Sequence, residues 1–314
     1  MENVIAITGA TGFIGGTLIK RLAAAGRQVR ALIRPASIPK QPGDGALKWI
    51  QGDLEDVDSL GQLVHGADVI VHCAGAVRGA TPAHFNRINV DGVARLAQVA
   101  IKQQPPPLFL LMSSLAAREP QLSAYASSKQ QGERVLMEAS GNMDWAVFRP
   151  SAVYGPGDRE MMPVLRWMAK GVAPLPGSGN GRFAMLYAED LAEAVILWLD
   201  RGRGQGLTYE LHDGHPGGYS WQEVIQTIAR LRGAPVARIK VPLALMRLIA
   251  IINLAAARTI GYAPMLTPGK IREISHPDWI ADNTAICKST GWSPKIDLAE
   301  GLRRTLKLAD TPRI

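Results

Sequence analysis

The sequence predicts an α/β protein, with a doubly wound parallel sheet over residues 1–157 and a smaller mixed α/β substrate domain over most of 158–314. Three observations lead there. Short apolar runs alternate with helical patterns through the first 150 residues, as strand–helix–strand units require. A glycine-rich turn separates the first apolar run from the first helical pattern. After Gly155-Pro-Gly157 the alternation stops, and helical pieces mix with Gly/Pro loops. With 47% hydrophobic residues among 314, the chain has enough apolar mass for a large core.

Val4, Ile5, Ala6 and Ile7 suit a strand buried on both faces. Gly9, Gly12 and Gly15 follow at three-residue spacing, and Phe13-Ile14 open a helical pattern continued by Leu18, Ile19 and Leu22. The first glycine permits a tight turn, the second lets backbone approach a pyrophosphate, and the third lets helix pack on strand. The free N–H groups at the helix start then face the phosphates, so this stretch reads as a Rossmann dinucleotide site. Residues 28–33 form a second strand ending at Arg34-Pro35, 35–45 a loop, 47–53 a third strand and 54–65 a short helix. A fourth buried strand, 68–73, is closed by Ala74-Gly75. One long helix is expected over 82–103, stopped by Pro105-Pro-Pro107. Residues 108–112 are a fifth strand running into Ser113-Ser114, 124–139 a helix, and 144–149 a sixth strand ending at Pro150. Residues 184–200 and the strand 207–212 are expected to return to the sheet, and 171–181 reads as loop. The segment 241–257 is very apolar, but Arg247 and Asn253 interrupt its 15-residue run from Leu243. It therefore reads as packed core or substrate lid, too short and broken to span a bilayer.

The formal charge of +8 is unevenly placed. Residues 1–150 carry 15 basic and 12 acidic groups, a net +3. Residues 215–276 carry eight basic groups against Glu223 and Glu273, a net +6. A solvated basic face explains this, as does an anionic substrate. An anionic membrane surface, reached through the apolar run, ranks below both. Nucleic acid is not an expected partner, because aromatics are sparse there and no reader motif is present. Cys73 and Cys287 cannot build a disulfide framework and show no metal-ligand spacing, so no metal is expected. The first strand starts almost at residue 1, so no signal peptide is expected and a reducing, cytoplasmic setting is the default.

In open parallel sheets ligands sit outside the carboxyl ends of the strands. Ser113 and Ser114 end the fifth strand, Arg34 ends the second, and Asp53 follows the third. Tyr125 and Lys129 share one face at the start of the following helix. A free tyrosine, with a pKa of about 10, is a poor base at neutral pH, and a nearby ammonium favours its phenolate. A serine hydroxyl can hold a substrate oxygen while the tyrosine moves a proton.

These residues carry a resemblance. Thr8-Gly-Ala-Thr-Gly-Phe-Ile-Gly15, Gly52-Asp-Leu54, Ala74-Gly75, Asn89-Val-Asp-Gly92, Met112-Ser-Ser114, Tyr125-Ala-Ser-Ser-Lys129 and Arg149-Pro-Ser-Ala-Val-Tyr-Gly-Pro-Gly157 cover residues 3–157 densely. Arg182-Phe-Ala-Met-Leu-Tyr-Ala-Glu-Asp190 and Gly291-Trp-Ser-Pro294 extend a weaker match. The chain resembles the extended short-chain dehydrogenase/reductases of the NAD-dependent epimerase/dehydratase kind. That resemblance implies Tyr125 as catalytic acid/base, Lys129 as its pKa-lowering and ribose-binding partner, and Ser114 as donor to the substrate oxygen. It implies that Asn89 supports the site, although an interior asparagine bonding to backbone is an equal reading. It also implies cofactor contacts at Gly9, Thr11, Gly12, Phe13, Ile14, Gly15, Asp53, Leu54, Cys73, Ala74, Gly75, Ser113, Pro150 and Val153. Ser113 is expected beside the nicotinamide. A homodimer built on the helices near 82–103 and 124–139 follows from the same likeness.

Charge bears on the choice of cofactor. An NAD site places a carboxylate at the end of the second strand, whereas this chain has Ile33-Arg34 there. NADP(H) is therefore expected ahead of NAD(H). The expected activity is hydride transfer between the nicotinamide and a ketone or secondary alcohol of a small-molecule substrate. A nucleotide-sugar epimerase retaining its cofactor is the alternative, and a non-catalytic cofactor-binding protein is a minor one. A dehydratase ranks lower because Ser114 is followed by Leu115-Ala116-Ala117 rather than an acid.

Overall fold

In the computed structural model, residues 4–37, 45–177, 181–201 and 206–308 are described. The first half builds β1 (Val4–Thr8), α1 (Phe13–Ala24), β2 (Gln28–Ile33), β3 (Leu47–Gln51), α2 (Val57–Val64) and β4 (Val69–His72). It continues with α3 (Pro82–Asn89), α4 (Asp91–Ala100), β5 (Leu108–Met112), a 3-10 turn at Leu115–Arg118, α5 (Ala124–Ala139), β6 (Trp145–Pro150) and β7 (Ala152–Tyr154). The second half contributes α6 (Met162–Ala169), β8 (Val172–Pro176), β9 (Arg182–Phe183), β10 (Met185–Tyr187), α7 (Ala188–Arg201) and β11 (Leu207–Leu211). Then come β12 (Tyr219–Ser220), α8 (Trp221–Arg232), β13 (Ala237–Val241), α9 (Leu243–Ile260), α10 (Pro268–Ser275), β14 (Asp278–Trp279), α11 (Thr284–Thr290) and α12 (Leu298–Leu306).

Seven strands form one parallel sheet in the order β11-β6-β5-β4-β1-β2-β3. The chain reverses direction across the sheet between β1 and β4, and that switch point is where a crevice opens at the carboxyl ends. Both faces are covered. On one, Leu18, Ile19 and Leu22 of α1 join Leu191, Val195 and Trp198 of α7 and Ile286 of α11. On the other, Leu60 and Leu63 of α2 join Val93 and Leu96 of α4 and Leu136 of α5. The central strands need their continuous apolar runs because neither side faces water. β11 pairs with β6, so residues from the second half complete the edge of the main sheet. The remaining strands form small sheets, β7 with β10, β8 with β13, and β9 with β12 and β14, over a separate core around Tyr154, Leu165, Tyr187 and Ile228.

The structure corrects several expectations. The single helix over 82–103 is two, α3 and α4, hinged at Val90 (φ −114°, ψ −63°). The hinge follows Asn89, whose side chain is tied to another loop and whose carbonyl rests against Gly132, where an added Cβ would lie 2.2 Å from it. The third strand ends at Gln51, and 171–181 contains β8, while 38–44 and 178–180 of the expected loops lie outside the described residues. The packed-core reading of 241–257 fails: α9 buries only Ala250 and Ala257. Arg247 and Asn253 do not interrupt it either, and its 18 residues, with mean hydropathy 1.7, are long and apolar enough to cross a membrane by length and composition.

Candidate active site

The glycine turn after β1 is packed backbone to backbone. Gly9 sits at φ +72°, and a Cβ there would lie 2.5 Å from the amide N of Ala74. One on Gly15 would lie 2.3 Å from the Gly9 carbonyl oxygen. Only glycine meets both demands. Gly12 caps α1 with no side-chain hydrogen bond, and no acid occupies the first turn. The leading amides of Phe13, Ile14 and Gly15 thus form an electropositive cradle that fits a pyrophosphate. Thr11 is half-buried in this turn, and the Phe13 ring lies against Gly155 and Gly157. A groove of about 340 Å³ continues from Gly12 and Phe13 past Thr17 and Lys20 to Trp49 and Pro156. It holds neither Ser114 nor Tyr125, so the chemistry belongs to the strand ends rather than to this groove.

At the end of β4, Thr8 Oγ1 lies 2.7 Å from His72 Nδ1 and accepts a hydrogen bond from the amide of Ala74 at 3.3 Å. The other ring nitrogen of His72, Nε2, is buried without a partner among the described residues. Burial, then the charge of Lys129, pull the His72 pKa down to about 3, so the ring is neutral. Cys73, beside it, is pushed up to about 12 by burial and stays a thiol. Ala74 and Gly75 continue the loop over the site.

The serine, tyrosine and lysine come together. Ser114 caps the turn after β5, its Oγ accepting from the amide of Ala116 at 3.2 Å, and it stands close enough to Tyr125 to favour that phenol's ionised form. Ser123 caps α5 through the amide of Ala126, which puts Tyr125 in the first turn and Lys129 one turn on. Lys129 is buried and its Nζ donates to the carbonyl of Met112 at 2.9 Å. A Cβ on Gly75 would stand 3.1 Å from that Nζ, so the β4 loop passes directly over the amine. The expected lowering of the tyrosine pKa is absent. Burial pushes Tyr125 up to about 12, opposed by the nearby Ser114 hydroxyl and reinforced by Glu273 and Glu160, while Lys129 is aimed at a carbonyl. Lys129 is itself pulled down to about 8 by burial, with Glu133 and Cys73 resisting. The ring of Phe85 meets Tyr125 edge-on, centroids 6.2 Å apart.

Asn89 bonds to backbone, the simpler of its two readings. Its Oδ1 accepts from the Ala76 amide at 2.8 Å, and its Nδ2 donates to the Ala76 carbonyl at 3.0 Å and to Ser128 Oγ at 2.8 Å. Ser128 in turn donates to the carbonyl of Tyr125. Asn89 thus straps the β4 loop to the helix carrying Tyr125. The hydroxyl of Ser113, which follows β5, is buried on Glu133, and Glu133 is held by Arg149 of β6 at 2.9 and 2.5 Å. Glu133, unremarked in the sequence, continues the Tyr125–Lys129 stripe at another i+4 step, and that spacing could have revealed it. Glu273 was missed as well: from α10 it binds the hydroxyl of Ser123, the cap of α5. No sequence signal connects those two residues.

Arg34 follows β2 directly and is exposed. Asp53 and Leu54 follow β3, with Asp53 Oδ1 accepting from the amide of Glu55 at 2.7 Å and Leu54 packed on Gly92. Pro150 ends β6, and Val153 lies in β7 next to the core of the main sheet. Among the described residues no cluster of His, Cys, Asp and Glu could hold a metal ion.

A phosphate turn made of backbone, at the switch point of a doubly wound sheet and next to strand-end hydroxyls, marks the class of dinucleotide-dependent enzymes. The comparisons are specific about which. The model of the NAD dependent epimerase/dehydratase family matches residues 5–211. The chain is 34% identical over 306 residues to a ceramide reductase of Caulobacter vibrioides (strain NA1000 / CB15N), covering 97% of this chain and 94% of that one. It is 27% identical over 238 residues to the 4-hydroxy-2-methyl-3-oxo-4-farnesyl-3,4-dihydroquinoline-1-oxide ketoreductase of Stigmatella aurantiaca, covering 67% and 68%. Among solved structures, MoeE5 in complex with UDP-glucuronic acid and NAD superposes with a TM-score of 0.74 at 22% identity, over 97% of this chain and 98% of that one. The protein belongs to the NAD dependent epimerase/dehydratase family and is an enzyme of the extended short-chain dehydrogenase/reductase kind.

Proposed function

We propose that this enzyme is an NADP(H)-dependent reductase that converts a ketone on an apolar substrate to the secondary alcohol. The observation that carries the reading is that Ser114, at the end of β5, meets Tyr125 and the buried Lys129 from the start of α5, in a site where burial keeps the phenol protonated. With its pKa pushed up to about 12 the phenol is protonated at neutral pH, the form that can give a proton to a carbonyl oxygen. In reduction, Ser114 and Tyr125 hold the carbonyl oxygen, and Tyr125 passes its proton to that oxygen as negative charge develops. The nicotinamide, when bound, supplies the hydride. In this reading Lys129, beneath Gly75, would bind the ribose and offset charge on Tyr125 once the phosphates and substrate displace water. Two relatives favour the reductive direction and an apolar substrate by what their names say, a ceramide reductase and a ketoreductase of a farnesylated quinoline oxide.

Tyr125→Phe is expected to lower turnover by about a hundredfold or more, in line with loss of a general acid, while binding of NADPH stays within a few-fold. Unchanged turnover would overturn the assignment of Tyr125. Oxidised cofactor should appear in proportion to product. An epimerase would instead turn over with cofactor in catalytic amount, and finding that would replace the reductase reading.

Arg34 supports NADP(H) over NAD(H), since its guanidinium suits a 2′-phosphate at the end of β2, where NAD sites carry an acid. NADPH should bind more tightly than NADH, and Arg34→Asp should reverse that order. Equal dissociation constants in the unmodified enzyme would remove this part of the proposal.

A further inference from the structure

α9 is an 18-residue helix whose outward face has no cover among the described residues. One narrow stripe, Ala250, Asn253 and Ala257, faces the protein at the three- and four-residue steps of a helix. That stripe is tied down lengthwise. Leu243 packs on Gly177, Asn253 Nδ2 donates to the carbonyl of Leu266 at 2.8 Å, and Tyr262 donates back to Asn253 at 3.0 Å. The opposite side carries Leu245, Leu248, Ile249, Ile251, Ile252 and Ile260, between 46% and 76% exposed. Such an area of contiguous apolar surface is rare on a face that meets only water.

The charge around it is one-sided. Between Glu223 and Glu273 the sequence has no acidic residue and eight basic ones. Arg247 and Arg258 are eleven positions apart, about three helical turns, so they line one flank of the apolar face. Arg238 and Lys240 stand exposed on β13, immediately before the helix. An apolar face with a basic flank is the feature of a helix that lies in a bilayer interface. A spanning orientation is excluded by the stripe, since the helix would have to leave α10 to cross. A second copy of the chain is the poorer occupant, because a two-fold contact with the helices antiparallel apposes the patch with itself and brings basic flank against basic flank.

We infer that α9 docks this enzyme flat onto an anionic lipid bilayer, with Leu248 and Ile252 inserted and Arg247, Arg258 and Lys240 on lipid phosphates. This docking does not depend on the reaction proposed above, although it has a consequence for it. α9 rests on α10, which binds the cap of α5 through Glu273, and Arg258 donates to the carbonyl of Ala80 in the β4 loop at 3.5 Å. The docked face therefore lies one helix away from Tyr125.

The test is co-sedimentation of the full chain with phosphatidylcholine vesicles, with and without phosphatidylglycerol. The protein should pellet with the phosphatidylglycerol vesicles and be released by added salt. Leu248→Glu with Ile252→Glu should abolish pelleting and leave the melting temperature and NADPH affinity unchanged, since both side chains are exposed. Lys240→Gln and Arg247→Gln should each weaken binding by about fivefold, the effect of one basic group near an anionic surface. Failure to pellet with either vesicle would overturn the inference, as would pelleting that the double variant leaves intact. Equal binding to both vesicle types would remove the charge assignment. A dimer in solution that the double variant makes monomeric would assign the face to a second copy instead.

Discussion

Lys129 is an amine buried in the protein, with one carbonyl and the charge of Glu133 for support. Its folded-state pKa of about 8 lies below the ordinary 10.5, so folding disfavours its charged form. The sign of the pH effect follows. Below about pH 8 both folded and unfolded chains carry the proton, and the folded state bears the whole burial penalty. Between 8 and 10.5 the unfolded chain holds a proton that the folded chain has released, so this residue's contribution to stability rises with pH across that window. Lys129→Met keeps the length of the side chain and removes the charge. We expect it to stabilise the cofactor-free protein by about 1–3 kcal/mol near neutral pH, after discounting the lost Met112 hydrogen bond. Thermal melts of both proteins from pH 7 to 10.5 check this. A variant that melts below the parent at pH 7, or a difference that stays flat through the window, would sink it. The residue that the chemistry needs is thus one that the fold would be more stable without.

At the scale of elements, legibility depended on whether the deciding interaction was local. The β1–turn–α1 unit was readable because each glycine meets a requirement of its own neighbourhood, φ +72° at Gly9 and backbone contact at Gly15. The Tyr125–Lys129 pair was readable for the same reason, since four residues on a helix set the geometry. The break between α3 and α4 was hidden, because Val90 is no helix breaker and the cause lies across space, in Gly132 and Ala76. The orientation of the Ser113 hydroxyl was hidden similarly: it is set by Glu133 and Arg149 from two other elements. α9 exposes a different limit. Hydropathy shows that a segment is apolar, but a core helix and an interfacial helix have the same composition. What separates them is the number of faces that find a neighbour, and that is settled only once the chain is folded.

The whole molecule couples its two halves more closely than the change of sequence character at residue 157 implies. One face of the main sheet is covered by α7 and α11, both from the second half, and β11 forms the sheet's edge beyond β6. Phe148 of β6 meets Trp198 and Tyr209 edge-on, at 5.9 and 5.7 Å between centroids. Trp292 reaches back to donate to the Asp190 carbonyl at 3.2 Å, closing α11 onto α7. A fragment ending at residue 157 would lose Leu191, Val195, Trp198, Tyr209 and Trp292 from this layer. At about 2 kcal/mol for the apolar surface that each of these side chains covers on the first half, the loss is on the order of 10 kcal/mol. That is comparable with the entire stability of an ordinary domain, about 5–15 kcal/mol. Residues 1–157 alone are therefore expected to keep helical signal in far-ultraviolet circular dichroism without near-ultraviolet tertiary signal, and to show no cooperative heat-absorption peak. The full chain should melt in a single transition. A fragment that unfolds cooperatively would mean that the first half is a self-sufficient domain, and that α7, β11 and α11 decorate a sheet able to stand without them.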